Sequence, residues 1–360
     1  MVNRKLALAL SGGGAKGAFT AGVIQHLLDD QNMDFELAVG TSTGSLVAGP
    51  AVLGDGFTLE ERYTSVKNKD IYINSFMGGI LNFFDVYDGP LDAKMTPLYN
   101  NLIDYYLARK NLEKLINMKN KEFVVTIVNA RTGLVHFVSS NEVKNGTITS
   151  ETFVKAILAS CCEPVFTKPV KVFENEAKSI YRNDLFYDGG LKEFLPIEHA
   201  VSLGGTEVWA ISTHPLTAGN GTSWGGGDPN KINLFNALAW TVDSLLTEVA
   251  RGDRFRAELY FRWDNLKEEI IKRAIDCGLS KNAAETLFDN LPISADPTEG
   301  LSLPDLKLIS PDRSLGASLK FDPSIMTGFF TEGQLRAEKH FKDGNQSFSD
   351  KTLRPWDKII

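Results

Sequence analysis

The sequence predicts an α/β fold, a mainly parallel sheet wrapped by helices, and three observations carry the prediction. An apolar run ending in a glycine loop is followed by residues at helical spacing, which makes one strand–turn–helix unit. A second such unit follows within the first 55 residues, and consecutive units of this kind build parallel strands with helical crossovers. The chain has 360 residues, 43% of them hydrophobic and 23% charged, which is ordinary globular usage and ample for a sizeable core. No internal repeat or clear linker interrupts it. Residues 1–360 therefore read as a single domain, with a core over about 1–215 and a helical lid or flank over about 216–300.

The first strand is Lys5 to Leu10. It ends at Ser11-Gly12-Gly13-Gly14-Ala15-Lys16-Gly17, after which Phe19, Val23 and Leu27, with Ile24 and Leu28, recur at helical spacing. Phe35 to Val39 is the second strand, and the turn at Gly40-Thr41-Ser42-Thr43-Gly44 leads into a second helix. Pro50 removes a backbone donor and is expected to kink or shift that helix early. Leu59 to Lys67 reads as a mostly surface helix and Lys94 to Leu107 as another. Between them Phe76 to Phe84 is apolar and glycine-broken. Core packing is the expectation there, with an exposed apolar lip as the competing reading.

Glu122 to Val128 and Leu134 to Val138 are strands around the turn Asn129-Ala130-Arg131-Thr132-Gly133. Ser150 opens a helix that ends at Ser160-Cys161-Cys162-Glu163-Pro164. Leu185 to Tyr187 leads into Asp188-Gly189-Gly190, and Pro196 suits the first turn of a helix over Ile197 to Leu203. A strand follows over Glu207 to Ser212. Gly219 to Asn230 is a polar, glycine-rich loop. Leu234, Leu238, Val242, Leu245 and Val249 mark one helix, and separate charged helices are expected over Leu266 to Cys277 and Asn282 to Leu291. Leu306 to Ile309 reads as a late strand and Glu332 to Phe341 as a closing helix.

The net charge of −7, with no basic stretch, argues against nucleic acid as a partner and against adhesion to an anionic membrane by charge alone. Cys161, Cys162 and Cys277 form neither a disulfide framework nor a metal set, and the five histidines show no zinc motif. They read as free thiols in a reducing compartment. The segment Arg4 to Leu10 is too short for a signal peptide and runs into a glycine loop rather than a cleavage site. No run approaches the roughly 20 apolar residues that span a bilayer. A cytoplasmic protein is expected, unless it leaves the cell by a route without an N-terminal signal.

Ester hydrolysis by serine needs a nucleophile, a proton acceptor, and donors where the carbonyl oxygen becomes negative. Ser42, flanked by Gly40 and Gly44 in a G-x-S-x-G turn, is the candidate nucleophile; it could equally be a helix cap. The loop Gly12 to Gly17 also fits a dinucleotide motif, but a G-x-S-x-G turn stands where the second strand would read the ribose. Used otherwise, the amides of Gly12, Gly13 and Gly14 at a helix start can bind an oxyanion. Among the histidines only His214 follows a strand suggestively. Asp188, at a strand end among apolar neighbours, is the stronger proton acceptor, against the plain reading as an Asp-Gly turn.

The ordered set closely resembles the patatin-like phospholipase family. It comprises Leu6 to Ala18 with Gly12, Gly13, Gly14 and Gly17, then Val39 to Ser45, then Ala159 to Phe166, and finally Tyr187-Asp188-Gly189-Gly190-Leu191 with Leu195-Pro196. The resemblance covers residues 1 to about 215. It implies a three-layer α/β/α fold and a Ser42–Asp188 dyad without histidine, with an oxyanion loop at Gly12, Gly13 and Gly14. The implied activity is hydrolysis of phospholipid acyl esters, of phospholipase A or lysophospholipase type, with no metal or cofactor and with room for peripheral membrane contact. Phe76 to Phe84 and the 219–230 loop are candidates to line an acyl channel. Two departures stand out: Ser11 where many members carry aspartate, and Lys16 where most carry arginine. An acyltransferase or thioesterase on the same dyad, a silent lipid- or partner-binding module, and a nucleotide-dependent oxidoreductase are the competing functions.

Overall fold

Alternating side chains on the central strands divide the core into two halves. The computed structural model describes residues 4–83, 90–215, 234–288, 303–316 and 318–344. Among them run β1 (Leu6–Leu10), β2 (Leu37–Thr41), β3 (Glu122–Asn129), β4 (Val135–Ser139), β5 (Phe186–Asp188), β6 (Glu207–Ile211) and β7 (Asp305–Ile309). Leu8 and Leu10 of β1 face one apolar cluster, while Ala7 and Ala9 face the other. This is the period-two pattern of a sheet buried on both faces. The first cluster takes in the helices α1 (Gly17–Asp29) and α2 (Thr43–Leu53), with Ser150–Ser160 and Pro323–Lys342. The second takes in Ile197 and Ala200, then Ala250, Ala257 and Phe261 of the helix Leu234–Asp276. The result is the three-layer α/β/α arrangement.

The sheet runs in the order β4-β3-β2-β1-β6-β7, with β5 also paired to β3. β3, β2, β1, β6 and β7 are mutually parallel, whereas β4 and β5 both run antiparallel to β3. β2 occupies β3 up to the pair Thr41–Thr126, and β5 begins on the next residue with Asp188 opposite Ile127. β4 holds the other edge of β3 over the same residues. β2 and β5 therefore share one edge and meet end to end, C-terminus to C-terminus. That junction brings Ser42 to Asp188.

Several expectations change. β2 starts two residues later than expected and runs through Thr41. α2 continues through Pro50 to Leu53 and ends on the left-handed Gly54. The missing proline N–H removes one bond only, while burial of Val47, Ala48, Ala51 and Val52 holds the helix in place. The separate helix expected from Leu266 is not separate, because Leu234–Asp276 is one helix of 43 residues. Gly252 and the polar Asp264-Asn265 weaken such a helix without breaking it. Phe76 and Met77 open the helix Phe76–Phe83 and are exposed, so at these two positions the expected core packing gives way to surface. Residue 84 and the loop 219–230 lie outside the described residues. Among those described, no helix is long and apolar enough to cross a membrane.

Candidate active site

Ser42 sits at the tip of the turn between β2 and α2 with φ 54° and ψ −128°. A left-handed conformation is uncommon for a residue with a side chain and is retained only where the surroundings fix it. Here the Ser42 N–H donates to Ser160 Oγ at 2.8 Å, and Ser160 donates in turn to the Thr126 carbonyl at 2.7 Å. The Ser42 carbonyl accepts from the Ser45 N–H at 2.9 Å and from its hydroxyl at 2.6 Å. The turn is closed so tightly that a Cβ on Gly44 would lie 2.3 Å from the Leu10 carbonyl oxygen, and one on Gly40 would lie 2.5 Å from the Gly44 carbonyl oxygen. Both positions of the pentapeptide therefore require glycine, which a plain helix cap would not.

Asp188 ends β5, and its N–H donates to the Cys162 carbonyl at 2.9 Å. One carboxylate oxygen accepts the Gly190 N–H at 2.7 Å, and the Ser42 side chain lies close enough to the carboxylate to favour its charged form. Ser42 is 9% exposed and Asp188 is 7% exposed. Burial pushes the Asp188 carboxyl up to about 7, against the opposing pull of the nearby Ser42 side chain and of the Gly190 N–H. Nearby, burial pushes the Cys161 thiol well above its ordinary range, so no thiolate competes. Burial and the neighbouring Asp188 and Asp243 charges raise Glu163 to about 8, which leaves it neutral near pH 7.

The glycine loop lies against the same turn, since a Cβ on Gly12 would come within 2.9 Å of Ser42 Cβ. The Gly12 N–H is already used, donating to the Phe194 carbonyl at 3.3 Å. The amides of Gly13 and Gly14 make no hydrogen bond among the described residues. The Gly12 carbonyl accepts from Thr213 Oγ1 at 2.5 Å and from Ser11 Oγ at 3.1 Å. In a trans peptide the following N–H points the opposite way, so these bonds turn the Gly13 N–H away from Thr213.

Behind the loop lies a buried polar chain. Thr213 spends its hydrogen on Gly12, so it accepts from His214 Nδ1–H at 3.1 Å. His214 is held neutral by burial and by the adjacent Lys16 charge, so its Nε2 accepts from Lys16 Nζ at 3.2 Å. Lys16 also donates to Asp243 Oδ1 at 2.7 Å, and Ser318 Oγ donates to the same oxygen at 2.8 Å. Burial works against ionisation of Asp243, but the adjacent His214 ring and the Lys16 ammonium outweigh it and hold the carboxyl far below its ordinary range. Lys16 thus ties the loop to the helix Leu234–Asp276 through one carboxylate oxygen. His214 belongs to this chain of contacts and not to Ser42.

The sequence expectations divide accordingly. Ser42 and Asp188 come together, with Gly12 against Ser42 and Gly190 against Asp188; Gly40 and Gly44 close the turn itself, while Gly13 packs on Thr213, Gly14 on Ser318, Gly189 on Thr126 and Gly17 on Thr43. Ser160, Thr126, Thr213, Phe194 and Asp243 are additions. Only Ser160 had a signal, its place in the small-residue segment before Pro164. Phe194 stands over the loop, 3.0 Å from where a Gly190 Cβ would be, with Leu246 of the long helix beside it at 3.5 Å.

Comparison with known proteins bears on this arrangement. No curated protein matches the chain. Among solved structures, the crystal structure of VipD from Legionella pneumophila is similar, at 13% sequence identity and a TM-score of 0.45. The likeness covers 94% of this chain and 67% of that one. A family model described as patatin-like phospholipase matches residues 8–201, a span that starts in β1 and contains Ser42, Asp188 and the glycine loop. With more than half of its length under that model, the chain belongs to the patatin-like phospholipase family.

Proposed function

We propose that the protein is a serine lipid acyl hydrolase of phospholipase A or lysophospholipase type, acting through Ser42 and Asp188. Membership of the family supports hydrolysis of lipid acyl esters in general. The observation that carries the finer reading is the meeting of the strained Ser42, at the end of β2, with a buried carboxylate at the end of β5 whose pKa is raised to about 7. A proton acceptor poised near neutrality is what a general base needs.

In the proposed sequence Asp188 takes the Ser42 proton as the serine oxygen attacks the acyl carbonyl carbon. The carbonyl oxygen becomes an oxyanion facing the Gly13 and Gly14 amides, at the positive end of α1 and its entry turn. Collapse breaks the ester bond, and the protonated Asp188 returns the proton to the departing lipid alcohol. Water then gives a proton to Asp188 and attacks the acyl-enzyme. Fatty acid leaves, and the proton returns to Ser42. Gly12 serves by closeness to Ser42 rather than as a donor, because Phe194 holds its N–H.

Incubation with a fluorophosphonate probe is expected to label Ser42 alone, and incubation with phosphatidylcholine to release free fatty acid. An unlabelled, folded protein that releases none overturns the reading. Thr213 gives a subtler test, since it orients the Gly12–Gly13 peptide without touching substrate. Thr213→Val keeps the shape and removes the donor, so kcat on a soluble ester should fall about 10- to 100-fold, short of or equal to the loss of a full oxyanion donor. KM should hold, and Thr213→Ser should restore kcat. A purely structural threonine would lower the melting temperature without that split.

A further inference from the structure

We propose that Ile73, Phe76, Met77 and Val165 form an apolar lip that seats the protein on a phospholipid bilayer beside the Ser42–Asp188 site, an inference that rests on the lipid-hydrolase reading of that site. Phe76 is 86% exposed, Met77 57%, Ile73 56% and Val165 48%. Large apolar side chains clustered in water mark a surface that meets something apolar.

The cluster is contiguous because its backbone is laced together. Ile73 and Lys94 exchange N–H···O bonds of 2.8 and 2.9 Å. Asp92 N–H donates to the Val165 carbonyl at 3.1 Å, and Ala93 N–H donates to the Phe166 carbonyl at 2.9 Å. The start of the Phe76–Phe83 helix is pinned as well: Ser75 Oγ donates to the Leu91 carbonyl at 2.7 Å, and Asn74 Oδ1 accepts the Leu91 N–H at 3.1 Å. Phe76 and Met77 are thus held outward by a fixed backbone.

Val165 adds an independent sign. Its φ is 74°, a region that a β-branched residue enters at a cost and keeps only when the fold imposes it. The conformation leaves the Val165 side chain half exposed to solvent. Three residues earlier, the Cys162 carbonyl accepts the Asp188 N–H, so the lip is joined to the base by one short segment.

The chemistry around the lip favours a bilayer over a protein face. Lys94, bonded through its backbone to Ile73, is exposed, and Lys67 and Lys69 are exposed in the segment that leads to Ile73, on a chain whose net charge is −7, while Asp92 is paired with Lys168 at 3.1 Å. Flexible cations flanking inserted apolar residues suit phosphate headgroups above an acyl layer.

The test uses Ser42→Ala protein, so that binding is read without turnover. Sedimentation with phosphatidylcholine vesicles, and with vesicles that also contain phosphatidylglycerol, should pellet it, the second more strongly. Phe76→Ser/Met77→Ser should weaken partition about 10-fold or more, as expected when two large apolar side chains no longer enter the acyl layer. On the Ser42 background the same double change should leave hydrolysis of a soluble short-chain ester unaltered. Equal pelleting of the double variant would overturn the lip. So would a parent protein that stays in the supernatant, or one that dimerises through these residues. Failure of the hydrolase reading would look different: vesicle partition would persist while Ser42 went unlabelled.

Discussion

Replacing Ser42 by alanine should lower fatty-acid release by on the order of 10⁶-fold, the scale on which serine hydrolases lose turnover without their nucleophile. The fold should survive, because the turn is held by the Ser42 N–H to Ser160 and by its carbonyl to Ser45, and neither bond uses the hydroxyl. Circular dichroism and the melting temperature should therefore match the wild type. A glycine at the same position separates nucleophile from scaffold further. It adopts φ 54° without the side-chain penalty, so Ser42→Gly should be inactive and more stable by about 1 kcal/mol. A serine kept only as a helix cap would give the reverse, with activity retained and stability lost. Turnover by a folded Ser42→Ala protein would remove Ser42 from the mechanism.

Asp188→Asn should cost about 10²–10⁴ in kcat, the usual contribution of a positioned base. Its effect on stability has a definite sign. The folded carboxyl titrates near 7 and the unfolded one near its ordinary value, so folding takes up a proton between the two. Stability from this group is full at low pH and is lost as pH rises through about 7. Asparagine does not titrate, so the variant should be more stable than wild type at pH 8, by at most about 4 kcal/mol for a shift of about three units. The difference should vanish toward pH 4. Denaturant midpoints across that range measure it, with both proteins compared on a Glu163→Gln background because the Asp188 charge also raises Glu163. A variant less stable at pH 8 would contradict the buried-base assignment. In the wild type, kcat/KM for a soluble ester should rise about tenfold per pH unit below 7 and then level.

The two reacting groups were legible because each stands among glycines that only close backbone approach explains. The parallel α/β core was legible from its two early strand–turn–helix units. What surrounds the pair was not. Thr213 and Asp243 are ordinary residues in sequence and Ser160 is marked only by its small-residue segment, because their roles come from contacts across 100 residues or more. The long helix was read as separate pieces because a polar stretch and a glycine look like a boundary unless tertiary packing is known. Phe76 and Met77 were read as core because apolar residues carry no mark of which side they face. Pro50 was read as kinking or shifting its helix early because a chain pattern registers the lost donor and not the burial that outweighs it.

The end-to-end meeting of β2 and β5 on β3 makes the active site a matter of discrete register. One step of β5 along β3 would carry the Asp188 carboxylate about 3.4 Å and turn it to the other face of the sheet. Two steps would restore the face at about twice the distance, beyond hydrogen-bonding reach of Ser42. No intermediate placement exists. Insertions between α2 and β5 can therefore change what surrounds the site while leaving its central spacing intact, and the chain between Ser42 and Asp188 is free to vary in length so long as three β5 residues find the same three rungs.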